Sequence, residues 1–192
     1  VIDEVTAQKL FLFFFREGNI PYKYPYDGYY ARATAMAKKA EDQKINMGKI
    51  YVEGTLIAQT DLPEYPIVQW GWHVAPVAYV KKEDGSVDLQ VFDPGLFKSP
   101  VSVEKWKEKM LHQPLNLSGI KAEITEEYYG TRYQYFPRQR IPFAKDPEQP
   151  FEREGFNANW NAYDFEGKQW GVEAVFKRYR PLQDFSAFIG KK

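Results

Sequence analysis

Two strand-like runs joined by a short polar turn constrain the fold of this chain more than any other feature. Residues 67–80 read IVQWGWHVAPVAYV, residues 87–94 read VDLQVFDP, and the segment KKEDGS separates them. β-branched and aromatic residues favour strands, and an Asp-Gly pair between two such runs is typical of a hairpin. The sequence therefore predicts an antiparallel pair of strands that any fold must accommodate.

The length of the turn decides which side chains meet across this hairpin. If the loop has three residues and Gly85 takes the left-handed position of a G1 bulge, Asp93 faces Ala75. Asp93 then lies diagonally from His73 on the same face of the sheet, at about 7 Å, within reach of both side chains. A two-residue turn would instead place Asp93 opposite Pro76, on the other face. The sequence allows both registers, and one of them brings a carboxylate beside a histidine.

Helical patterns flank the strands along the chain. The run VTAQKLFLFFFREG at 5–18 indicates a buried helix that begins near Thr6, although its apolar stretch would also suit a strand. The run DGYYARATAMAKKAED at 27–42 indicates a second helix with Asp27 as its N-terminal cap. Three further elements are predicted: a strand at 48–58, an amphipathic helix at 101–111 and a final helix at 169–180.

This order of elements predicts the fold class. A helix, then a sheet, then more helices is the order expected of an α+β domain. We therefore expect N-terminal helices packed on an antiparallel sheet, with the remaining residues irregular, above all the proline-rich segment 137–150. The length of 192 residues suits one domain, residues 1–192, with a sizeable core.

Composition excludes several classes of function. The 26 basic and 26 acidic residues give no net charge, so no overall field draws the chain to nucleic acid or to an anionic membrane. The absence of cysteine excludes disulfides, thiolate metal sites and cysteine nucleophiles. The longest apolar run, LFLFFF at 10–15, is too short to span a bilayer. The first residue is Val1 and not Met, which is consistent with the removal of a signal or pro-segment.

Of the two histidines, His73 is the better candidate for imidazole chemistry. Alternation along its strand places it on the opposite face from Trp70 and Trp72, so that one face packs and the other serves a cleft. A hydrogen-bonded core histidine is the alternative. Asp93 precedes a proline, where an aspartate commonly caps a turn, but beside His73 it would fix the imidazole tautomer. His112 follows an amphipathic helix and is expected to be an exposed residue at its end.

No ordinary nucleophile stands where such a histidine and aspartate would need one. A helix N-terminus suits a nucleophile because its free N–H groups can hold an oxyanion and its dipole lowers the pKa of a thiol. The second predicted helix offers Gly28, Tyr29 and Tyr30 at that point, and none of these is Ser, Thr or Cys. Thr34 lies about a turn and a half further along the helix, which is too far to replace a thiol there.

The segments DGYYARATAM, GKIYVEGTL, WGWHVAPVAYV and VFDPGLF resemble, in order and spacing, the bacterial protein-glutaminases, which deamidate glutamine side chains in intact proteins. The resemblance covers about residues 25–110. It implies a core related to papain-like proteases and transglutaminases, a Cys-His-Asp triad, and neither a metal nor an organic cofactor. By position, the histidine corresponds to His73 and the aspartate to Asp93, while Tyr29 stands where the family has its cysteine.

Tyr29 at this position predicts a chain without deamidase activity. A phenol is a weak nucleophile and far bulkier than a thiol, so we expect Tyr29 to occupy the site and hydrogen-bond to His73. We expect Gly28, Tyr30, Trp70 and Trp72 around a cleft that still binds glutamine-containing protein or peptide segments. The resemblance also implies a secreted or periplasmic location. An alternative within the family is an active deamidase whose cysteine was replaced in this chain.

The aromatic content of 17% suggests two other classes of function. A carbohydrate-binding or adhesion module would stack exposed rings on sugars, for example from NANWNAYDF at 157–165, although most rings are expected in the core. The run RYQYFPRQR at 132–140 interleaves arginines with rings, a pattern found in proteins that bind single-stranded nucleic acid. Acidic residues at 146–154 dilute that basic patch, so no nucleic-acid partner is expected.

Overall fold

The fold is described by a computed structural model that covers residues 1–16, 19–114, 119–137 and 171–183. Within these ranges the helices are α1 (Glu4–Arg16), α2 (Tyr29–Asp42), α3 (Val103–Lys109) and α4 (Val172–Tyr179). The strands are β1 (Ile2–Asp3), β2 (Gly48–Gln59), β3 (Ile67–Lys81), β4 (Val87–Val91), β5 (Val101–Ser102) and β6 (Glu123–Gly130).

One sheet organises the described part of the chain. Its strands follow the order β5-β4-β3-β2-β6 and are antiparallel, while the short β1 pairs in parallel with the end of β3. The central strand β3 is buried without interruption from His73 to Ala78. A strand that is buried on both of its faces reads as a continuous apolar run, as this one does. The predicted α+β class, with helices on an antiparallel sheet, is confirmed.

The β3–β4 hairpin takes the register with a three-residue loop. The Lys82 N–H donates to the Ser86 carbonyl at 2.8 Å, and Gly85 has φ of 86°, the left-handed conformation that a G1 bulge requires. The strand pairs that follow continue this register, which places Asp93 opposite Ala75. The first of the two predicted registers is therefore confirmed, and it points Asp93 toward His73.

The first helix packs two phenylalanines against the sheet. The described part of the run predicted at 5–18 is a helix and not a strand, and α1 begins at Glu4, slightly earlier than predicted, because Asp3 Oδ1 accepts the Thr6 N–H at 2.6 Å. Phe11 and Phe14 are fully buried, with ring centroids 6.4 Å and 6.3 Å from that of Phe92. These contacts fix α1 on the sheet near the end of β4.

The second helix lies close to β3 because its buried face is made of alanines. Ala31, Ala33, Ala37 and Ala40 are fully buried, and their small side chains let a helix approach a strand closely. The final helix, predicted over 169–180, is confirmed as α4 and packs against α2. This packing brings the beginning of α2 over the middle of β3.

Strand β6 was not predicted. Its sequence EITEEYYG carries three glutamates, so its alternation between apolar and polar residues is weak. It pairs with β2 at one edge of the sheet, where charged side chains can remain in water. The two-residue strands β1 and β5 were also missed. Most of the proline-rich segment 137–150, the aromatic segment 157–165 and residues 138–140 of the arginine-containing run lie outside the described residues.

No helix in the described ranges is long and apolar enough to cross a bilayer. The assignment of residues 1–192 to a single domain stays a prediction.

Candidate active site

His73 and Asp93 form a buried pair at the centre of the site. His73 Nε2 lies 2.8 Å from Asp93 Oδ2, and the two residues are 2% and 7% exposed. The Trp106 indole Nε1–H donates to the same carboxylate oxygen at 3.0 Å, while Asp93 Oδ1 accepts the Gly95 N–H at 3.2 Å. Asp93 thus caps the turn that follows β4 and also holds the histidine ring, so both roles predicted for an aspartate at this position occur together.

The surroundings of Asp93 keep its carboxyl group ionised. Burial by itself would raise the pKa of Asp93, but the charge and hydrogen bond of His73, the Trp106 hydrogen bond and the Arg32 guanidinium together hold that pKa below its usual value. A carboxylate in this state can only accept hydrogen bonds. The His73 nitrogen that faces Asp93 is therefore its N–H.

Two indole rings enclose the His73 imidazole. Trp70 stacks on it with ring centroids 4.6 Å apart and an interplanar angle of 13°, and Trp106 lies at 5.6 Å and 29°. The Trp70 Nε1–H donates to the Pro25 carbonyl at 2.9 Å, which ties this ring to the loop before α2. Both rings act as supports that fix the plane of the imidazole.

The predicted face of His73 was wrong in one respect. Strict alternation places Trp70 opposite His73, whereas the two rings stack. The register between β2 and β3 shifts by one residue between Glu53 and Leu56, opposite Gly71. A bulge of this kind breaks the alternation and adds local twist, which re-aims nearby side chains. No signal in the sequence of β3 alone marks such a bulge.

Helix α2 begins directly beside this pair. Gly28 is its N-cap, with φ of 82°, and no side chain caps the helix. Asp27 was predicted to be the cap, but its Oδ1 accepts the Gly28 N–H at 2.7 Å and its Oδ2 accepts the Tyr179 hydroxyl of α4. The first turn of α2 therefore presents backbone N–H groups that no side chain occupies, the arrangement that can hold an oxyanion.

Tyr29, the first residue of α2, lies against His73. Its ring centroid is 4.9 Å from that of His73 and 4.8 Å from that of Trp72, and the side chain is 8% exposed. The hydrogen bond predicted between Tyr29 and His73 is not formed, because Nε2 binds Asp93 and the buried Nδ1 has no partner among the described residues. The Tyr29 and His73 rings instead meet edge to face.

The environment of Tyr29 disfavours its ionised form. Burial raises the pKa of the Tyr29 phenol well above its usual value, and the negative charge of Asp27 raises it further. The hydroxyl is thus protonated near neutral pH, and a protonated phenol is a poor nucleophile.

A cleft of about 610 Å³ opens on the other side of Tyr29. It is lined by Asp27, Tyr29, Tyr30, Glu53, Gly71, Trp72, Phe136 and Pro137. Of the residues predicted around a cleft, Tyr30 and Trp72 line it, whereas Trp70 lies against His73 and Gly28 caps α2. His73 is buried and does not line the cleft, so the Tyr29 ring separates it from the open space.

Two residues that sequence reasoning missed help to build the site. Trp106 lies in the amphipathic helix predicted over 101–111, and its hydrogen bond to Asp93 depends on how α3 folds back on the sheet. Arg32 is 5% exposed, and its Nη1 donates to three backbone carbonyls of the loop before α2: Pro21, Tyr24 and Asp27. A single arginine among the buried alanines of a helix is the signal that could have indicated this role.

The remaining candidates lie away from the pair. Thr34 is fully buried, and its hydroxyl donates to the Tyr30 carbonyl and accepts from Lys49 Nζ at 2.7 Å. His112 was predicted to be exposed, but it is half-buried after α3, because its backbone N–H donates to the Ile57 carbonyl at 3.0 Å and holds it against β2. Among the described residues, no group of three or more His, Cys, Asp or Glu side chains could hold a metal ion.

Comparison with known proteins connects this geometry to one family. Residues 2–110 match the model of the family described as glutaminase. A crystal structure of a mutant of pro-protein-glutaminase is 27% identical with a TM-score of 0.61, over 70% of this chain and 50% of that one. The NMR structure of protein-glutaminase from Chryseobacterium proteolyticum is 26% identical with a TM-score of 0.60, over 71% and 75%.

A crystal structure of protein-glutaminase shares the fold more fully, with a TM-score of 0.67 over 95% of this chain and 90% of that one, at 22% identity. The chain spans about half the length of the pro-protein-glutaminase that it matches. No curated protein matches it.

Proposed function

The chain belongs to the glutaminase family, and from this premise we propose that it is a protein-glutaminase-like domain that lacks a nucleophile and binds protein segments without deamidating them. The observation that carries this proposal is the position of Tyr29. Its ring contacts His73 on one side and lines the cleft on the other, so a carboxamide in the cleft meets a buried, protonated phenol and not the imidazole.

The rest of the geometry supports a scaffold built for acyl transfer. If a thiol replaced the phenol at position 29, the bare Nδ1 of His73 would accept its proton, and Asp93 would hold the imidazolium that forms. The thiolate would then attack the glutamine carboxamide, and the N–H groups at the beginning of α2 would hold the oxyanion. His73 would pass the proton to the departing ammonia, and water would release glutamate.

The experiment that tests this proposal measures ammonia release from casein by the chain and by its Tyr29→Cys variant. We expect no release from the chain and measurable release from Tyr29→Cys. Tyr29→Phe is the matched control, because it keeps the ring and removes only the hydroxyl, and it should stay inactive. The double variant Tyr29→Cys with His73→Ala should lose the gained activity by roughly 10³-fold or more, since the thiol then has no base.

Activity of the unchanged chain that disappears in His73→Ala would contradict the proposal. Inactivity of a correctly folded Tyr29→Cys would show that loss of the nucleophile is not what prevents deamidation. Segment binding is a separate element of the proposal, and it is measured by following the Trp72 indole resonance during titration with a glutamine-containing peptide.

The sequence and the family resemblance suggest further properties that are open to experiment. An active deamidase whose cysteine was replaced in this chain is distinguished by sequencing the coding DNA of the source. The family match does not favour a sugar-binding module, and the segment 157–165 on which it rested lies outside the described residues. A secreted or periplasmic location, a pro-segment and kinship with papain-like proteases and transglutaminases follow from the resemblance, and fractionation of the native cells would test the location.

A further inference from the structure

The cleft beside Tyr29 combines aromatic rings with acidic side chains. Four of its eight lining residues are aromatic, two are carboxylates, and none of the lining residues within the described ranges is basic. A glutamine side chain is neutral and has no particular need of negative charge. The composition of the cleft therefore carries information about its ligand beyond the family match.

The rings form a concave wall and not a flat patch. Tyr30 lies 5.9 Å from Trp72 with an interplanar angle of 25°, and Phe136 meets Trp72 at 6.5 Å and 71°. Tyr29 meets Trp72 at 85°. Ring faces carry negative electrostatic potential, and several rings at different angles around one space form the kind of cage that attracts a cation.

The two carboxylates of the cleft have only neutral hydrogen-bond donors. Glu53 Oε1 accepts the Tyr128 hydroxyl at 2.8 Å, and Asp27 accepts a backbone N–H and the Tyr179 hydroxyl. Neither carboxylate forms an ion pair within the described part of the chain. The buried Arg32 guanidinium lies close enough to Asp27 for their charges to attract each other, so Glu53 is the carboxylate whose charge is available to a ligand that enters the cleft.

Strand pairing places Glu53 beside the Trp72 ring. Glu53 lies directly opposite Trp72 on β3. Directly opposed residues share a face of the sheet, and their side chains are neighbours. A cation bound between Glu53 and Trp72 would therefore contact a carboxylate while lying on the indole.

A buried hydroxyl provides a further polar group at the same site. Tyr30 lines the cleft and is 3% exposed, and its hydroxyl oxygen has no hydrogen-bond partner among the described residues. Burial raises the pKa of Tyr30. The neutral phenol oxygen is an acceptor that lacks a donor, and the ring that carries it forms part of the cleft wall.

We propose that this cleft binds the lysine or arginine side chain of a protein segment. The inference rests on the proposed function, because it assumes that the cleft receives a protein segment, and it names the side chain that the cleft prefers. The alkyl part of the ligand packs against Trp72 and Phe136, and its charge lies among the ring faces, Glu53 and Asp27.

The test titrates the intact chain with blocked peptides of the form Ala-Ala-X-Ala-Ala, where X is lysine, arginine, glutamine, norleucine or glutamate. Binding is followed by the indole N–H resonances. The lysine and arginine peptides should bind about 10-fold more tightly than the norleucine peptide, which has the same apolar bulk without charge. The glutamate peptide should bind most weakly.

Variants test whether the preference for a cationic side chain depends on residues of the cleft. Glu53→Gln should reduce the ratio of lysine to norleucine affinity several-fold. The matched control Glu64→Gln removes an equal charge at an exposed position outside the cleft and should leave the ratio unchanged. Trp72→Leu should weaken the lysine peptide more than the norleucine peptide, because it removes the ring face.

Equal affinity for lysine and norleucine peptides, or tightest binding of the glutamine peptide, would overturn the charge preference and leave segment binding intact. Failure of all five peptides to bind would overturn both this inference and the binding element of the proposed function. The ammonia assay on Tyr29→Cys is independent of either result.

Discussion

At the scale of single residues, Asp93 determines which ring nitrogen of the neutral His73 imidazole carries the proton. The carboxylate at 2.8 Å from Nε2 can only accept, so the neutral imidazole carries its proton on Nε2 and leaves Nδ1 bare. We predict that a long-range ¹H–¹⁵N spectrum of the neutral ring shows Nδ1 as an unprotonated ring nitrogen. The Asp93→Asn variant should lose this strict preference, because an amide can donate as well as accept.

His112 is the internal control for this spectrum, since its ring has no carboxylate partner among the described residues. The Asp93→Asn exchange should leave its signals unchanged. A proton on Nδ1 of His73 in the unchanged chain would contradict the assigned geometry. It would also remove the base that the Tyr29→Cys variant needs.

The His73–Asp93 pair could be predicted from the sequence because it depends on local rules. Once Gly85 takes the left-handed position, pairing alone carries the register to Asp93. The stacking of Trp70 on His73 could not be predicted, because a bulge on a different strand re-aims the ring. The missing Tyr29–His73 hydrogen bond had a similar cause, since the position of a ring at a helix start depends on tertiary packing.

At the scale of elements, the position of α2 depends on Gly28. Its φ of 82° is a conformation that costs other residues about 1–2 kcal/mol, and an added Cβ would lie 3.1 Å from Tyr179 and 3.2 Å from Val175 of α4. We predict that Gly28→Ala lowers the free energy of unfolding by more than this backbone cost, because α2 and α4 must also move apart. Urea unfolding measures the change.

The matched control for this change is Gly85→Ala. Gly85 has nearly the same φ, 86°, but an added Cβ there would meet no atom within 4 Å. The difference between the two variants therefore reports the packing of α2 against α4, separated from backbone strain. Equal losses of stability would show that the contact between the two helices contributes little.

Most helices and strands could be predicted from the spacing of their apolar residues, but the edge strand β6 could not. Strands β2, β3 and β4 and helices α1 to α4 each carry an apolar face that the sequence displays. Strand β6 is an edge strand rich in glutamate, and it is held by its pairing with β2 and by Tyr128 stacking on Tyr51 at 5.3 Å. Such a strand forms because it pairs with its neighbour, and the local sequence pattern gives no sign of that pairing.

At the scale of the whole molecule, a buried lysine joins three parts of the described fold. Lys49 on β2 is fully buried, and its Nζ donates to the Thr34 hydroxyl of α2 at 2.7 Å and to the Gln134 carbonyl at 2.6 Å. The Tyr51 hydroxyl donates to the same carbonyl at 2.7 Å. These bonds anchor the segment that continues to Phe136 on the wall of the cleft.

The partners of Lys49 suit a neutral amine. A neutral amine has two N–H donors, which match the two acceptors, and neither acceptor carries a charge. Burial lowers the pKa of Lys49 well below its usual value. In the unfolded chain the amine regains a pKa near 10.4, so between these two pKa values the unfolded state binds more protons than the folded state. Stability must therefore rise with pH in that window.

We predict that the free energy of unfolding of the chain rises from pH 7 toward pH 10 relative to that of Lys49→Met, with a slope approaching about 1.4 kcal/mol per pH unit for one proton. Lys98→Met is the control, because the Lys98 side chain is 87% exposed and its removal should leave the slope unchanged. The measurement is urea unfolding at several pH values, with the two variants compared at each. Parallel curves for the chain and Lys49→Met would mean that Lys49 remains protonated in the fold, and the third proton would then need an acceptor beyond Thr34 and Gln134.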